Sequence, residues 1–168
     1  MSTQNPRKQF AIGEPVVYPQ QGLGIVRSIR ERNSHGNTEN YYDIYMEDSQ
    51  MTILIPVAKA TALGMRPVVS KKEAMEAINS ITSKAVSCPS DWKSRYQKNQ
   101  ELIKQGTIGA IAKVVQTLYH RSKIKELPIQ ERKLYENALE LLINESAYAM
   151  DKDKDEISTM ILTRLEKK

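Results

Sequence analysis

With 168 residues, 40% of them hydrophobic and 27% charged, the chain has room for one medium domain or two small ones and is too apolar for disorder throughout. A single cysteine and two histidines exclude a disulfide framework and a zinc cluster at ligand spacing. No apolar run reaches the roughly 18 residues of a membrane span, and the polar start MSTQNPRKQ lacks the apolar core of a signal peptide, so the expected compartment is the cytoplasm.

The net charge of +5 is unevenly spread. Residues 1–69 carry seven Lys/Arg against six acids, whereas residues 88–125 carry eight against Asp91 and Glu101, a local net of +6. Basic charge concentrated in one stretch is the footprint of a phosphate-backbone binder, although a solvated helix surface has the same look.

In chain order, residues 1–9 have no period and are expected to be a disordered tail. The segment FAIGEPVVYPQQGLGIVRSI, residues 10–29, reads as two strands folded back around a glycine-bearing turn. Val16, Val17 and Tyr18 favour a strand that Pro19 ends, and Ile25, Val26 and Ile29 make the second strand, which runs into the charged RERNSHGN segment. Asn33 to Asn37, with Gly36, predicts a hairpin turn. A third strand follows at about 40–47, with Tyr42, Ile44 and Met46 alternating against Tyr41, Asp43 and Tyr45. The fourth, MTILIPV at 51–57, is almost uncharged, and Pro56 makes it an edge strand or its end. An apolar edge invites strand addition by a partner. Residues 58–66 close a compact, barrel-like module of the kind that serves binding.

From Lys71 the period changes to that of helices, which sets the boundary between two domains near 66–71. A short helix, KKEAMEAINSI, presents Ala74, Met75, Ile78 and Ile81. After a loop, Ser90 or Asp91 caps a helix to Gln105 that places Trp92, Tyr96, Asn99 and Ile103 on one side and ends at Gly106. Thr107 caps a third helix to about Ser122, buried through Ile111, Val114, Val115 and Leu118. Pro128 suits the first turn of a fourth helix, to about Met150, which buries Leu134, Ala138, Leu141, Leu142 and Ala149. A last amphipathic segment, Glu156 to Leu165, carries Ile157, Met160, Ile161 and Leu165.

Catalysis finds no support. The string DKDKDE at 151–156 fails as a calcium loop, because Glu156 stands where Gly is needed and Leu162 where the closing Glu is needed. Asp153 with Glu156 fits a helix capping box instead. GLG at 22–24 precedes a strand, not a helix, and no GxGxxG or GxxxxGK[ST] occurs. A nucleophilic Cys88 would need a base, and the sequence supplies none. Trp92 stands at the first turn of the most basic helix. It reads either as a ring packed between helices or as an aromatic wedge beside Lys93 and Arg95, which can prop open a base step while cations hold the phosphates.

The strand pair at 10–29 resembles the opening of the CarD and CdnL family, F-x-x-G-[DE]-x-V-V-Y-P-x-x-G-x-[GA], and TILIPV at 52–57 with GMRPVV at 64–69 is similar to its fourth strand and closing GxRxV. In the helical half, DWKSRYQKN at 91–99 resembles [NS]WxxRxxxN, and VVQTLYHRSK at 114–123 with ERKLYENALELLINE at 131–145 resembles the helices that follow. The resemblance implies an α+β protein: a small Tudor-like β-barrel module over 10–66 that docks on the β subunit of bacterial RNA polymerase, then an all-α DNA-binding domain over 71–168. It implies a transcription regulator without catalytic activity or cofactor, which stabilises the open complex at the upstream edge of the promoter bubble.

By position, the resemblance makes Trp92 a minor-groove wedge and Arg95, Arg132 and Lys133 DNA-facing, and Lys93, beside the wedge on the basic helix, joins them. It makes Arg32 and the strand Thr52, Ile53, Leu54, Ile55 and Pro56 the polymerase contact. Leu54 departs from the family, some of whose members have a second basic contact there, and Pro128 replaces the usual Ser at a helix start. The rival readings are a DNA-binding protein of the same fold acting without polymerase contact, and a protein-binding adaptor in which Trp92 is core.

Overall fold

The computed structural model describes residues 10–167; the expected tail at 1–9 lies outside the described residues. The chain divides into two compact units, one ending at Val68 and the other starting at Val69.

The first unit is a five-stranded antiparallel sheet of β1 (Pro15–Tyr18), β2 (Gly22–Ser34), β3 (Asn37–Met46), β4 (Met51–Pro56) and β5 (Arg66–Pro67), in the order β4-β3-β2-β1-β5. β4 and β5 are its edges. The alternation expected on β3 is present: Tyr42, Ile44 and Met46 are buried, and they pack with Phe10, Val16, Val26 and Ile55. The Phe10 amide donates to the Tyr42 hydroxyl at 3.0 Å, and the two rings meet edge to face at 5.8 Å, which ties the start of the described chain to the sheet. Gly24 is required by close approach. A Cβ there would lie 2.6 Å from Met46 Sδ and 2.7 Å from Ile44 Cγ2.

β2 is longer than the sequence suggests, because the charged stretch at 30–33 stays in the ladder opposite residues 38–41. The two-residue turn His35–Gly36, with φ of 50° and 80°, has both residues left-handed, the geometry that matches strand twist in a tight hairpin. Once the turn sets the register, exposed charges do not interrupt backbone pairing. β5, which the sequence reading folded into a closing loop, pairs with β1 through Val16–Pro67 and Val17–Arg66.

The second unit holds five helices: α1 (Lys71–Ser80), α2 (Trp92–Gln105), α3 (Ile108–Ile124), α4 (Ile129–Met150) and α5 (Lys154–Glu166). Caps set several of their ends. Ser70 and Glu73 form a full capping box on α1, Asp91 accepts from the Ser94 amide on α2, and Thr107 accepts from the Ala110 amide on α3. Gly106, with φ of 74°, ends α2 in the left-handed cap expected of it. The capping box expected at Asp153 and Glu156 does not form, since the Asp153 side chain makes no capping bond. α5 is held through Ile157, Ile161 and Leu165, all buried, rather than through its cap.

The expected buried faces of α3 and α5 are observed, whereas that of α2 is rotated. Its buried residues are Arg95, Asn99 and Ile103, spaced by one turn, while Trp92 and Tyr96 are half-buried beside them. The stripe includes a charged residue because that residue has a partner in the interior.

Candidate functional site

The sheet carries the first set of candidate residues. In the observed register Ser28, Arg30 and Arg32 of β2 stand opposite Asp43, Tyr41 and Glu39 of β3, and Asp43, Tyr41 and Tyr45 in turn stand opposite Leu54, Pro56 and Thr52 of β4. Alternation puts all of these on the face opposite the core. Arg32, Thr52, Leu54 and Pro56 therefore share one face, with Arg32 and Thr52 exposed and Leu54 and Pro56 half-buried.

Ile53 and Ile55 point the other way. Ile55 is only 2% exposed and Ile53 packs on the core margin, so neither side chain faces outward, contrary to their inclusion in the expected contact strand. β4 still presents an edge, since β3 is its one sheet neighbour among the described residues.

The outer face also holds charged groups to which the sequence alone assigns no role. Arg30 Nη2 lies 2.9 Å from Asp43 Oδ2, the Ser28 hydroxyl donates to the same oxygen at 3.3 Å, and the Arg27 guanidinium stacks 3.8 Å from the Tyr45 ring centroid. Arg27 is the extra residue at an irregularity between Val26 and Ser28; it follows the core-facing Val26 outward, and the alternation then resumes one residue out of phase, so that Ser28 faces outward as well. The alternation of Tyr41, Asp43 and Tyr45 was the legible signal for this face. The bulge that turns Ser28 to the same face has none.

The second set lies at the first turns of α2 and α4. Arg95 is 3% exposed, and its Nε and Nη2 donate to the two carboxylate oxygens of Glu131 at 2.6 and 2.7 Å. Glu131 is 0% exposed. Arg95 Nη1 also donates to the carbonyls of Pro89 and Ser90, at 3.0 and 3.2 Å. The hydrogen bonds to Glu131 push the guanidinium pKa further above its ordinary value, against the opposing effect of burial, so it is charged at every working pH. Arg95 is thus not a DNA-facing cation. Its charge is consumed inside the protein, where an unpaired charge would be too costly to bury.

This fork brings the first turn of α2, with Trp92 and Lys93, to the same end of the helical unit as the first turn of α4, with Arg132 and Lys133. Lys93, Arg132 and Lys133 are exposed. Arg132 Nη2 makes a surface pair with Glu126 at 2.9 Å. Trp92 is half-buried and belongs neither to the helical core nor to the hydrophobics packed against it. Its ring neighbours are Tyr96, with centroids 6.4 Å apart, and Lys93, whose Nζ is 6.0 Å from the ring centroid. The same end exposes two aliphatic residues, Ile124 at the end of α3 and Ile129 at the start of α4. Asp91, which caps this turn, has its pKa lowered by hydrogen bonds from the Ser94 hydroxyl and amide.

An aromatic ring outside the core, with Lys93 beside it and Arg132 and Lys133 exposed at the helix start to which the fork joins its turn, is suited to an apolar contact between phosphates. No group of three or more His, Cys, Asp or Glu fit to hold a metal ion occurs among the described residues, and no helix of the described residues is long and apolar enough to cross a membrane.

Comparison with known proteins agrees with both units. Residues 10–69 match the CarD-like/TRCF RID domain and residues 76–162 match the CarD C-terminal domain. The candidate transcription factor YdeB of Bacillus subtilis (strain 168) is 37% identical over 139 residues, covering 81% of this chain and 89% of YdeB. The solution structure of the 72-residue N-terminal domain of Myxococcus xanthus CarD is 28% identical and covers 40% of this chain and 89% of that domain, with a TM-score of 0.32. With both halves matched in order and a relative of this identity along most of its length, the chain belongs to the CarD/CdnL family of transcription regulators.

Proposed function

We propose that this protein acts in the cytoplasm by holding the RNA polymerase β subunit with its sheet unit and promoter DNA with its helical unit, and so stabilises the open complex. Polymerase docks on the outer face of the sheet, through Arg32, Thr52, Leu54 and Pro56, and along the free edge of β4. Trp92 enters the minor groove at the upstream edge of the bubble as a flat apolar wedge, while Lys93, Arg132 and Lys133 hold the flanking phosphates. No catalytic step and no cofactor is involved. Because polymerase delivers the module, the DNA contact needs no base-edge readout, and affinity for free DNA is weak and falls with salt.

The observation that carries this reading is the placement of Trp92. A lone tryptophan that packs in no core, set among exposed cations at the start of a helix, has a recognition role more readily than a structural one. Open-complex lifetime with purified polymerase tests it: Trp92→Ala should shorten the lifetime, and an unchanged lifetime removes the wedge. Capture of the isolated β subunit should be lost in Arg32→Glu if the sheet face is the dock.

A second reading is a DNA-binding protein without polymerase contact. Leu54 favours it, since an aliphatic side chain occupies the middle of the outer face of β4, where some relatives have a basic residue. Failure of the wild-type chain to capture the β subunit would select that reading.

A further inference from the structure

The Arg95 guanidinium uses all three of its nitrogens inside the protein. One guanidinium makes a bidentate bond to Glu131 on α4 and two bonds to the carbonyls of Pro89 and Ser90, the residues immediately before the cap of α2. It therefore ties three segments: the loop entering α2, the first turn of α2, and the first turn of α4. Trp92 lies inside that tie, between Ser90 and Arg95. Its aromatic and cation contacts, Tyr96 and Lys93, are both on its own helix and it stands outside the helical core, so the backbone of this turn sets the direction from which the indole projects.

A buried ion pair contributes little net stability compared with well-packed apolar residues of similar size. Its distinctive property is geometric, because a planar fork on a carboxylate fixes both distance and orientation. We infer that Arg95 and Glu131 are positioning residues for Trp92: the buried fork locks the first turn of α2 onto α4 and thereby sets the direction in which the indole projects. This rests on the reading of Trp92 as the DNA wedge, but the positioning itself is measurable without DNA.

The full chain has one tryptophan, so its fluorescence reports this position alone. The test replaces the pair by aliphatic residues, Arg95→Met with Glu131→Leu, and measures three things: the thermal melt, the time-resolved anisotropy of Trp92 in the free protein, and the open-complex lifetime with polymerase. The expected result is a cooperative melt like that of the wild type, with the fast-depolarising fraction of the Trp92 signal raised about two-fold as the turn gains nanosecond freedom. The open-complex lifetime should fall to that of Trp92→Ala. Arg95→Lys, which keeps the charge but not the fork, should loosen the indole to an intermediate degree.

Unchanged anisotropy in a folded aliphatic double variant overturns the inference. Should that variant not fold, Glu131→Gln carries the same test: loosened anisotropy supports the inference and wild-type anisotropy overturns it. If the double variant loosens Trp92 while Trp92→Ala leaves open complexes unaffected, positioning holds and the wedge reading fails, which separates the two.

Discussion

Arg30–Asp43 in the sheet unit and Arg95–Glu131 in the helical unit are the same chemical pair in different surroundings. The first is 65% and 8% exposed at its two side chains, whereas the second is 3% and 0% exposed. In the sheet, water competes for Arg30, and the pair does little more than lay the guanidinium across the outer face. In the helical unit no water competes, and the pair, once formed, dictates how two helix starts meet. Exposure decides whether a charge pair is decoration or a joint.

The largest expected effect follows from breaking the buried pair on one side. Glu131→Ala leaves the Arg95 charge uncompensated and should cost about 3–5 kcal/mol, read as a lowered midpoint in chemical denaturation followed by Trp92 fluorescence. A loss of under about 1 kcal/mol would remove the contrast between the two pairs.

Next comes Gly24→Ala, where the new methyl would press on Met46 and Ile44 at 2.6 and 2.7 Å. Overpacking of this kind should destabilise the sheet by about 1–3 kcal/mol, seen by circular dichroism in denaturant. It locates the fragile point of the sheet unit in backbone packing, in contrast with the buried charge pair of the helical unit.

Arg30→Ala should cost less than Glu131→Ala in the same assay, because Arg30 is largely solvated and the buried Asp43 carboxylate keeps the Ser28 hydroxyl as a partner. Its effect on capture of the polymerase β subunit would reveal whether the outer-face charges act in docking.

The smallest effect concerns pH. The folded-state pKa of Asp91 is lowered by Ser94, so its contribution as a cap is complete above the ordinary aspartate value of about 3.9 and is lost as pH falls through the depressed one. The difference in denaturation midpoint between wild type and Asp91→Ala should therefore be constant through neutral pH and shrink only in acid. A difference that already shrinks near neutrality would mean that the Asp91 pKa is raised rather than lowered, and one that persists unchanged in acid would mean that the cap is not ionic.

Much of the fold could be read directly because local patterns carry it. The inward set Tyr42, Ile44 and Met46 follows from two-residue alternation, the α3 face from helical spacing, and the ends of α2 from the Ser90–Asp91 pair and Gly106, the structure choosing Asp91 as the cap. The run MTILIPV gave no such guide. With nearly every residue apolar, alternation could not tell that Leu54 faces outward while Ile53 and Ile55 face the core, and pairing with β3 resolved it. α2 misled for a different reason. The resemblance makes Arg95 DNA-facing, nothing in its own stretch of sequence announces burial of a charged residue, and its partner lies 36 residues away on another helix.

The sequence by itself determined that this is a two-unit α+β chain of the CarD type, with a single tryptophan at the head of a basic helix. Those features are set by composition, periodicity and short motifs, all local in the chain. The tertiary structure alone decided which of the basic residues remain available to a partner and what holds the turn that carries Trp92. A buried charge is tolerated only when a distant opposite charge meets it in good geometry, and such a meeting is a property of the packed chain.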